Sequence, residues 1–271
     1  MGRPMDLQNR IAVVTGAGGG IGRAIAESLA RRGCSLALVD IDAAGLAQTR
    51  DLLATSKRAI SLYHLDVADR DAVAALPRAV TQALGPPDLL VNNAGVALAG
   101  TFEQVSEEQF DWLFEINFHG LVRMTRAFLP PLRARPEARI VNISSLFGLI
   151  AAPGQAAYCA SKFAVRGFSE ALRLELAGTS VGVTLVHPGG VATSIARNAR
   201  LPKNASPEQA AQEIADFEKL LKMPPEKAGE IIVAAIEMRR PRVIVGSDAK
   251  LLALLERLAP VSYWKIVSRL I

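Results

Sequence analysis

The chain is poor in cysteine and in aromatic residues, and each scarcity excludes a class of protein. Two cysteines, Cys34 and Cys159, are too few for a disulfide framework in 271 residues, so we expect a reducing, cytoplasmic setting. Aromatic residues make up 5% of the chain and do not accompany the scattered lysines and arginines behind its net charge of +5. Because nucleic-acid surfaces join basic stripes to stacking aromatics, we expect no nucleic-acid partner.

Long apolar runs and leader-like segments are also missing. No run of about 18 apolar residues occurs, so we predict no transmembrane segment. The residues before the first apolar run do not have the form of a signal peptide, and we expect no metal site. What the chain has instead is 50% hydrophobic and 21% charged residues, which favours a large buried core over disorder.

Short apolar runs alternate with helical patterns along the whole chain. The runs predict strands over residues 10–16, 35–40, 59–67, 88–95, 138–145, 181–190 and 242–247. The patterns between them predict helices over residues 20–32, 43–54, 69–84, 106–132 and 155–177. Apolar strands that alternate with helices predict an α/β fold with a doubly wound, seven-stranded parallel sheet covered by helices on both faces. No linker interrupts the alternation, so we expect residues 1–271 to form a single domain.

Two segments depart from this alternation. Residues 195–225 are polar and partly helical, and they follow the carboxyl end of the sixth strand, where open α/β sheets bind ligands. We predict a substrate loop or lid there, with a plain surface insertion as the alternative. Residues 247–271 predict a C-terminal extension of two short amphipathic helices broken at Pro260. We expect it to pack against the substrate loop or a neighbouring subunit, with peripheral lipid association as the alternative.

A tyrosine, a lysine and a serine point to proton transfer. Tyr158 and Lys162 are four residues apart, and Ser145 precedes the tyrosine by thirteen residues. A free phenol titrates near pH ~10, and we expect the ammonium group one helical turn away to lower the pKa of Tyr158 by stabilising the phenolate. The serine hydroxyl would hold a substrate oxygen while the proton moves. This triplet predicts an enzyme that acts on an alcohol or a carbonyl.

A glycine-rich turn between the first strand and the first helix predicts a dinucleotide site. Glycines permit a tight turn and a close approach of the backbone to a pyrophosphate at a helix N-terminus. The spacing here is G-x-x-x-G-x-G rather than G-x-G-x-x-G. The candidate residues of the turn are Gly16, Gly19, Gly20, Ile21 and Gly22.

Asp40 closes the second strand eighteen residues beyond Gly22. A carboxylate at this position accepts hydrogen bonds from the adenosine ribose and repels a 2′-phosphate. Positions 19 and 41 carry no arginine that could pair with such a phosphate, so NAD is favoured over NADP. The alternative role for Asp40 is a helix cap, which Asp42 could provide instead.

Six short motifs then occur in a characteristic order: TGAGGGIG, NNAG, the asparagine of INFHG, NISS, YCASK and HPGGVAT. Together they resemble the classical short-chain dehydrogenase/reductase family over about residues 6–193. The resemblance implies a Rossmann-like domain that transfers a hydride with a nicotinamide cofactor. It also implies a catalytic tetrad of Asn117, Ser145, Tyr158 and Lys162, in which Lys162 binds the nicotinamide ribose and Asn117 supports a water relay.

The resemblance extends to the cofactor contacts beyond the glycine-rich turn. Asp66 and Val67 would contact the adenine, and Tyr158 and Lys162 would face the nicotinamide. The remaining contacts implied along the strand ends are Asn92, Ala94, Gly95, Pro188, Gly189, Val191 and Thr193. The asparagine and the Pro188–Gly189 pair could alternatively be ordinary turn residues.

The candidate substrate wall is apolar and carries no cation to pair with a charged substrate. We therefore predict a secondary alcohol or ketone that is apolar or lipid-like, such as a steroid or retinoid. The same side chains could belong to the core instead. Alternative functions are the reduction of an acyl-chain ketone or a sugar, and non-catalytic dinucleotide sensing. The resemblance also implies a homodimer or homotetramer. The wall residues are Val96, Leu98, Phe102, Leu146, Phe147, Leu149, Ile150 and Ile195.

Overall fold

A seven-stranded parallel sheet runs through the described part of the chain, in the order β3-β2-β1-β4-β5-β6-β7. The computed structural model describes residues 3–202 and 207–269. The order reverses between β1 and β4, which places a ligand crevice at their carboxyl ends. The strands are β1 (Ile11–Thr15), β2 (Ser35–Asp40), β3 (Ile60–His64), β4 (Leu89–Asn92), β5 (Ala138–Ile143), β6 (Val181–Pro188) and β7 (Arg242–Val245).

Helices cover both faces of this sheet. Adjacent residues of β1 face opposite sides, so Val14 packs in one apolar cluster with α1 and α8, while Val13 packs in another with α3 and α5. These two layers confirm the predicted doubly wound single domain. The helices are α1 (Gly20–Arg31), α2 (Ala43–Leu52), α3 (Arg70–Leu84), α4 (Glu107–Phe114), α5 (Leu121–Arg133), α6 (Ala156–Glu175), α7 (Pro207–Leu220), α8 (Pro225–Glu237), α9 (Ser247–Leu258) and α10 (Tyr263–Val267).

Several boundaries differ from those that the sequence predicts. The third strand was predicted over residues 59–67, whereas β3 ends at His64. The long helix predicted over residues 106–132 is divided by a π-helical segment, Glu115–Gly120, between α4 and α5. The C-terminal extension does break into two helices near Pro260, as the sequence predicts. Leu270 and Ile271 of the predicted extension lie outside the described residues.

The predicted substrate loop is held at both ends. The Leu98 and Arg200 backbones form a parallel bridge, and so do those of Val191 and Met223. Helix α7 occupies the middle of the segment, and residues 203–206 of the predicted loop lie outside the described residues. Across residues 3–202 and 207–269, no helix is both long enough and apolar enough to span a bilayer.

Candidate functional site

The glycine-rich turn leaves the start of α1 open. A Cβ atom at Gly22 would lie 2.0 Å from the carbonyl oxygen of Gly16, so a larger residue does not fit where the helix passes the turn. Asn93 braces the turn, because its Nδ2 donates to the carbonyl oxygens of Thr15 at 3.0 Å and Gly16 at 3.2 Å. The N-cap residue of α1 is Gly19, which has no side chain to cap the helix. The first backbone N–H groups of α1 can therefore bind an anion such as a pyrophosphate.

Asp40 lies between this turn and the end of β2. Its carboxylate accepts hydrogen bonds from the backbone nitrogens of Gly18 at 2.7 Å and Asp42 at 2.9 Å. Asp42 caps α2, because its side chain accepts a hydrogen bond from the backbone nitrogen of Gly45. The capping role considered for Asp40 is thus filled by Asp42. Asp40 instead ties the glycine-rich turn to the second strand.

Arg23 is a cation beside the turn that the sequence patterns did not single out. Its Nε donates to the Thr49 hydroxyl at 2.9 Å, and its Nη2 donates to the carbonyl oxygens of Gly18 and Gly45. The guanidinium group is therefore held between the turn and α2. Arg23 directly follows Gly22, so its place next to the motif was the available signal.

The segments after β3 and β4 reach the same edge of the sheet. Asp66 is half-buried and Val67 is buried there. The buried Asn92 side chain does not face this edge, because its Nδ2 donates to Thr125 at 3.0 Å and to Asn142 at 2.9 Å, between the sheet and α5. Its Oδ1 is also buried, without a hydrogen-bond partner among the described residues, so a role at the cleft falls to the Asn92 backbone.

Ala94 and Gly95 connect the glycine-rich turn to the residues of the predicted tetrad. The backbone nitrogen of Ala94 donates to the Thr15 hydroxyl at 2.9 Å. A Cβ atom at Gly95 would lie 3.1 Å from Oδ1 of Asn117 and 3.4 Å from Nζ of Lys162. The segment after β4 therefore reaches from the predicted cofactor side to the predicted catalytic side.

The segment after β6 comes close to the glycine-rich turn from the opposite side. A Cβ atom at Gly20 would lie 3.0 Å from Cγ2 of Thr193, so the two segments touch. Together with Arg23 and Arg197 they line a cavity of about 340 Å³. Pro188 ends β6, and Gly189 and the buried Val191 follow it at the same edge.

Tyr158, Ser145 and Lys162 meet where α6 passes the carboxyl end of β5. Tyr158 and Lys162 lie on one face of α6 because they are four residues apart. The Ser145 side chain is close enough to the Tyr158 phenol to stabilise its ionised form, and Nζ of Lys162 lies 5.6 Å from the centroid of the Tyr158 ring. Tyr158 is 8% exposed and Lys162 is 5% exposed. The three residues that the sequence singled out are therefore neighbours in a largely water-free site.

Burial shifts the protonation of both α6 side chains. It raises the pKa of Tyr158 to about 12, and the hydrogen bond with Ser145 opposes this shift only in part. It lowers the pKa of Lys162 to about 8. The direction for Tyr158 is opposite to the acidification expected from the sequence, because the loss of solvation disfavours the phenolate more than its neighbours favour it. At neutral pH the phenol keeps its proton.

Asn117 lies in the π-helical segment that divides the long helix. Such segments are frequent at functional sites, because the wider turn redirects the side chains. The buried Asn117 amide accepts a hydrogen bond from the Val96 nitrogen at 2.8 Å and donates to the Val96 oxygen at 3.0 Å. It also donates to the Ser161 hydroxyl at 3.2 Å. Asn117 therefore connects the segment after β4 to α6, and its contact on α6, Ser161, lies three residues after Tyr158.

Two further residues fix the backbone around Ser145, although the sequence did not assign them this role. Ser144 donates from its hydroxyl to the carbonyl oxygen of Lys162 at 2.9 Å, and the buried His187 places Nδ1 2.9 Å from the carbonyl oxygen of Ser145. A Cβ atom at Gly148 would lie 2.2 Å from Oγ of Ser144, so the glycine lets α6 approach β5 closely. Ser144 lies in the motif NISS and His187 in the motif HPGGVAT, so their positions within these motifs were the only sequence indication of this role.

The predicted substrate wall divides into three groups. Val96, Leu98, Phe147 and Ile195 pack in one apolar cluster with Tyr158, and the Phe147 ring meets the Tyr158 ring edge-on at 6.1 Å. Leu146, Leu149 and Ile150 are buried under the C-terminal extension instead. Phe102 is 75% exposed. An apolar wall therefore surrounds Tyr158, but it is narrower than the sequence predicted.

No group of three or more histidine, cysteine, aspartate or glutamate side chains that could hold a metal ion occurs within the described ranges.

The comparisons with known proteins agree with this geometry. The family model for short chain dehydrogenases matches residues 10–204. A protein of Mycobacterium tuberculosis named as an oxidoreductase, SadH, is 43% identical over 265 residues, which is 97% of this chain and 95% of the relative.

Solved structures are similar as well. A short-chain dehydrogenase/reductase from Burkholderia phymatum in complex with NAD is 32% identical, with a TM-score of 0.86 over 93% of this chain and 94% of that one. An alcohol dehydrogenase from Thermococcus sibiricus complexed with 5-hydroxy-NADP is 26% identical, with a TM-score of 0.76 over 88% and 96% of the two chains. With this fold, the ordered motifs and these matches, the chain is an oxidoreductase that belongs to the classical short-chain dehydrogenase/reductase family.

Proposed function

We propose that the protein transfers a hydride between NAD and a secondary alcohol or ketone, with Tyr158 as the general acid and base. The observation that carries this proposal is the buried contact of Tyr158 with Ser145, beside Lys162, at the carboxyl edge of the sheet. A phenol that keeps its proton at neutral pH is suited to protonate the oxygen of a ketone during reduction. In the reverse direction the phenolate removes the proton of the alcohol.

The other members of the tetrad support that proton transfer. Ser145, beside the phenol, holds the substrate oxygen and donates to it as negative charge develops. The Lys162 ammonium stabilises the phenolate that remains after the proton has left. Asn117 fixes the segment around Val96 against α6 and, in our proposal, supports a water relay that returns a proton through Lys162.

The residues at the sheet edge fit a nicotinamide dinucleotide. The open N-terminus of α1 and the space kept by Gly22 suit a pyrophosphate. When it is bound, the nicotinamide group supplies the hydride exchange. The proposed contacts at the turn are Gly16, Gly19, Gly20, Ile21 and Gly22. The proposed contacts at the other strand ends are Asp40, Asp66, Val67, Ala94, Gly95, Pro188, Gly189, Val191 and Thr193, together with the backbone of Asn92.

We propose NAD rather than NADP as the physiological cofactor. The Asp40 carboxylate lies beside the glycine-rich turn, where it would repel a 2′-phosphate. Nε and Nη2 of Arg23 already donate to Thr49 and to two backbone carbonyls, which holds this guanidinium group between the turn and α2. The Burkholderia phymatum relative binds NAD, which agrees with the proposal.

An apolar secondary alcohol or ketone is the substrate class that we propose. Val96, Phe147 and Ile195 surround Tyr158 with apolar surface, and such a pocket favours a substrate that gives up little solvation on binding. The Thermococcus sibiricus relative is an alcohol dehydrogenase, which supports the same reaction type.

The assay is turnover of the purified protein with a panel of secondary alcohols, with NAD and NADP in separate reactions. We expect the absorbance of the reduced cofactor to rise, with the larger kcat/KM for NAD and for apolar alcohols. If only sugars or only acyl-chain ketones are turned over, the proposed class of apolar alcohols is wrong and that other class is the substrate. Tight NAD binding without turnover of any alcohol or ketone would replace the enzyme by a dinucleotide sensor.

We also propose that the C-terminal extension joins two subunits of a homodimer or homotetramer. Its outer face is apolar and exposed at Leu251, Leu254, Leu258 and Val261, and patches of this kind mark interaction sites. Light scattering should give a dimer or tetramer that Leu254→Glu dissociates. If the wild-type protein is a monomer and sediments with lipid vesicles, the same face serves peripheral lipid association instead.

A cytoplasmic location remains our proposal for the protein in the cell. Both cysteines, Cys34 and Cys159, are buried free thiols, as expected in a reducing compartment. Fractionation of the native cells tests this location, and recovery of the protein outside the cytoplasm would contradict it.

A further inference from the structure

The C-terminal extension packs on the connection that joins the two ends of the proton-transfer site. This connection runs from Ser145 to Tyr158 and includes a short 3₁₀ turn, Leu146–Gly148, and an irregular stretch over residues 151–155. The fully buried Ala249 of α9 packs against Leu149 and Ile150 of the connection. Phe147 of the same connection also packs against this cluster, and its ring meets the Tyr158 ring edge-on.

One side chain of the extension binds this connection through two hydrogen bonds. The Tyr263 hydroxyl of α10 donates to the carbonyl oxygen of Ala151 at 2.7 Å and accepts from the backbone nitrogen of Ala151 at 2.8 Å. Ala151 lies six residues after Ser145 and seven before Tyr158, near the middle of the connection. A single phenol thus fixes both polar groups of one irregular residue between two residues of the tetrad.

The connection is held on its other side by the segment that continues from Val96. The backbone nitrogen of Gly100 donates to the carbonyl oxygen of Gly154 at 3.0 Å. At the opposite end of the extension, the Asp248 carboxylate of α9 accepts from the backbone nitrogen of Gly190 at 2.8 Å, in the segment after β6. The extension therefore contacts the Ser145–Tyr158 connection through Tyr263 and the segment after β6 through Asp248. These two segments flank the proposed substrate and nicotinamide positions.

We propose that Tyr263 is a positioning residue whose hydroxyl fixes the Ser145–Tyr158 connection, so that the C-terminal extension sets which alcohols the site accepts. This inference rests on the function proposed above. The physical reason is that the connection carries Phe147 in the apolar wall and Ser145 at its end. If the connection becomes more mobile, Phe147 moves and the shape of the apolar wall changes, whereas Tyr158 keeps its place on α6 and its proton-transfer chemistry.

The test compares Tyr263→Phe with Tyr63→Phe. Tyr63 lies on the edge strand β3, where its hydroxyl is close to the Ser61 side chain of the same strand, so the control removes a phenol oxygen that has no part in the Ser145–Tyr158 connection. Hydrogen exchange across residues 146–155 reports the contact directly, because the Ala151 amide itself donates to Tyr263. We expect exchange of this amide to become about tenfold faster in Tyr263→Phe only.

The second readout is selectivity between a short and a long secondary alcohol at saturating NAD. In Tyr263→Phe we expect the ratio of their kcat/KM values to change by about tenfold, through KM and not through kcat, with the Kd of NAD unchanged. An equal loss of kcat for both alcohols with unchanged KM values would show a merely structural role and overturn the proposal. Unchanged exchange and unchanged selectivity would overturn it too.

These readouts separate the two proposals. If the wild-type protein turns over no alcohol or ketone, the proposed function fails, and exchange at Ala151 alone decides whether Tyr263 fixes the connection. If the wild-type protein is active while Tyr263→Phe matches Tyr63→Phe in both readouts, the positioning role fails and the proposed function stands.

Discussion

His187 predicts a specific loss of stability in acid that one substitution should remove. The residue is fully buried on β6, and its Nδ1 donates to the carbonyl oxygen of Ser145, because a carbonyl can only accept. Its Nε2 has no hydrogen-bond partner in the described part of the chain. Burial, together with the nearby charges of Arg242 and Arg166, lowers the pKa of His187 to about 4, against the opposing effect of the Ser145 carbonyl. The folded protein therefore holds this imidazole neutral.

The sign of the effect follows from the two pKa values. In the unfolded chain the imidazole takes up its proton near pH 6.5, whereas in the folded protein it does so near pH 4. Acid in this window therefore favours the unfolded chain, so the stability present above pH 6.5 is lost as the pH falls to about 4. Each pH unit is worth ~1.4 kcal/mol, which gives a loss of about 3 kcal/mol in the free energy of unfolding across the window.

The assay is urea unfolding of the wild-type protein and of His187→Asn at a series of pH values from 7 to 4. Asparagine can still donate to the Ser145 carbonyl but does not titrate, so the variant should lack this part of the acid loss. Subtraction of the two curves cancels every other titrating group, and His119→Asn reports the effect of removing an exposed histidine. If wild type and His187→Asn lose stability in parallel between pH 6.5 and 4, the imidazole is not held neutral and the reasoning is wrong.

Two further predictions concern the dinucleotide site. Gly22→Ala should weaken NAD binding by at least about 100-fold, since the new Cβ would lie 2.0 Å from the Gly16 oxygen and displace the turn. Titration with NAD, followed by tryptophan fluorescence, measures the Kd. A Kd near the wild-type value would contradict the assignment of this turn to the cofactor. Asp40→Asn should shift the ratio of kcat/KM for NADP over NAD by about tenfold towards NADP, because the repelling charge is gone. Asp42→Asn removes the same charge two residues along and should leave that ratio unchanged; equal shifts in both variants would refute a specific role for Asp40.

The sheet and its motifs could be predicted from local sequence patterns. Each strand is a short apolar run, and each run lies between turn signals, so seven strands and their alternation with helices were readable. The placement of Ser145, Tyr158 and Lys162 in one site followed as well, because α6 and β5 meet at one edge of the sheet. The π-helical segment around Asn117 could not be predicted, because its residues continue the helical pattern without a break.

Features that depend on burial or on distant contacts could not be predicted. The pKa of Tyr158 was expected to fall because Lys162 is a neighbour in sequence, whereas burial, which has no local pattern, raises it. Asn92 was expected to line the cleft, and the sequence did not indicate that its side chain pairs with Asn142, fifty residues away. Likewise Tyr263 and Ala151 are separated by 112 residues, so the sequence around neither residue predicts their contact.

The most direct test of the proposed chemistry is the turnover of Tyr158→Phe, with Tyr63→Phe as the matched loss of a phenol oxygen. The ring and its apolar packing remain in Tyr158→Phe, so NAD binding and thermal stability should stay close to wild type. We expect kcat for alcohol oxidation to fall by about 10²–10⁴-fold or more, while Tyr63→Phe keeps its activity. Wild-type turnover in a folded, NAD-binding Tyr158→Phe would contradict the assignment of this phenol as the proton donor and acceptor.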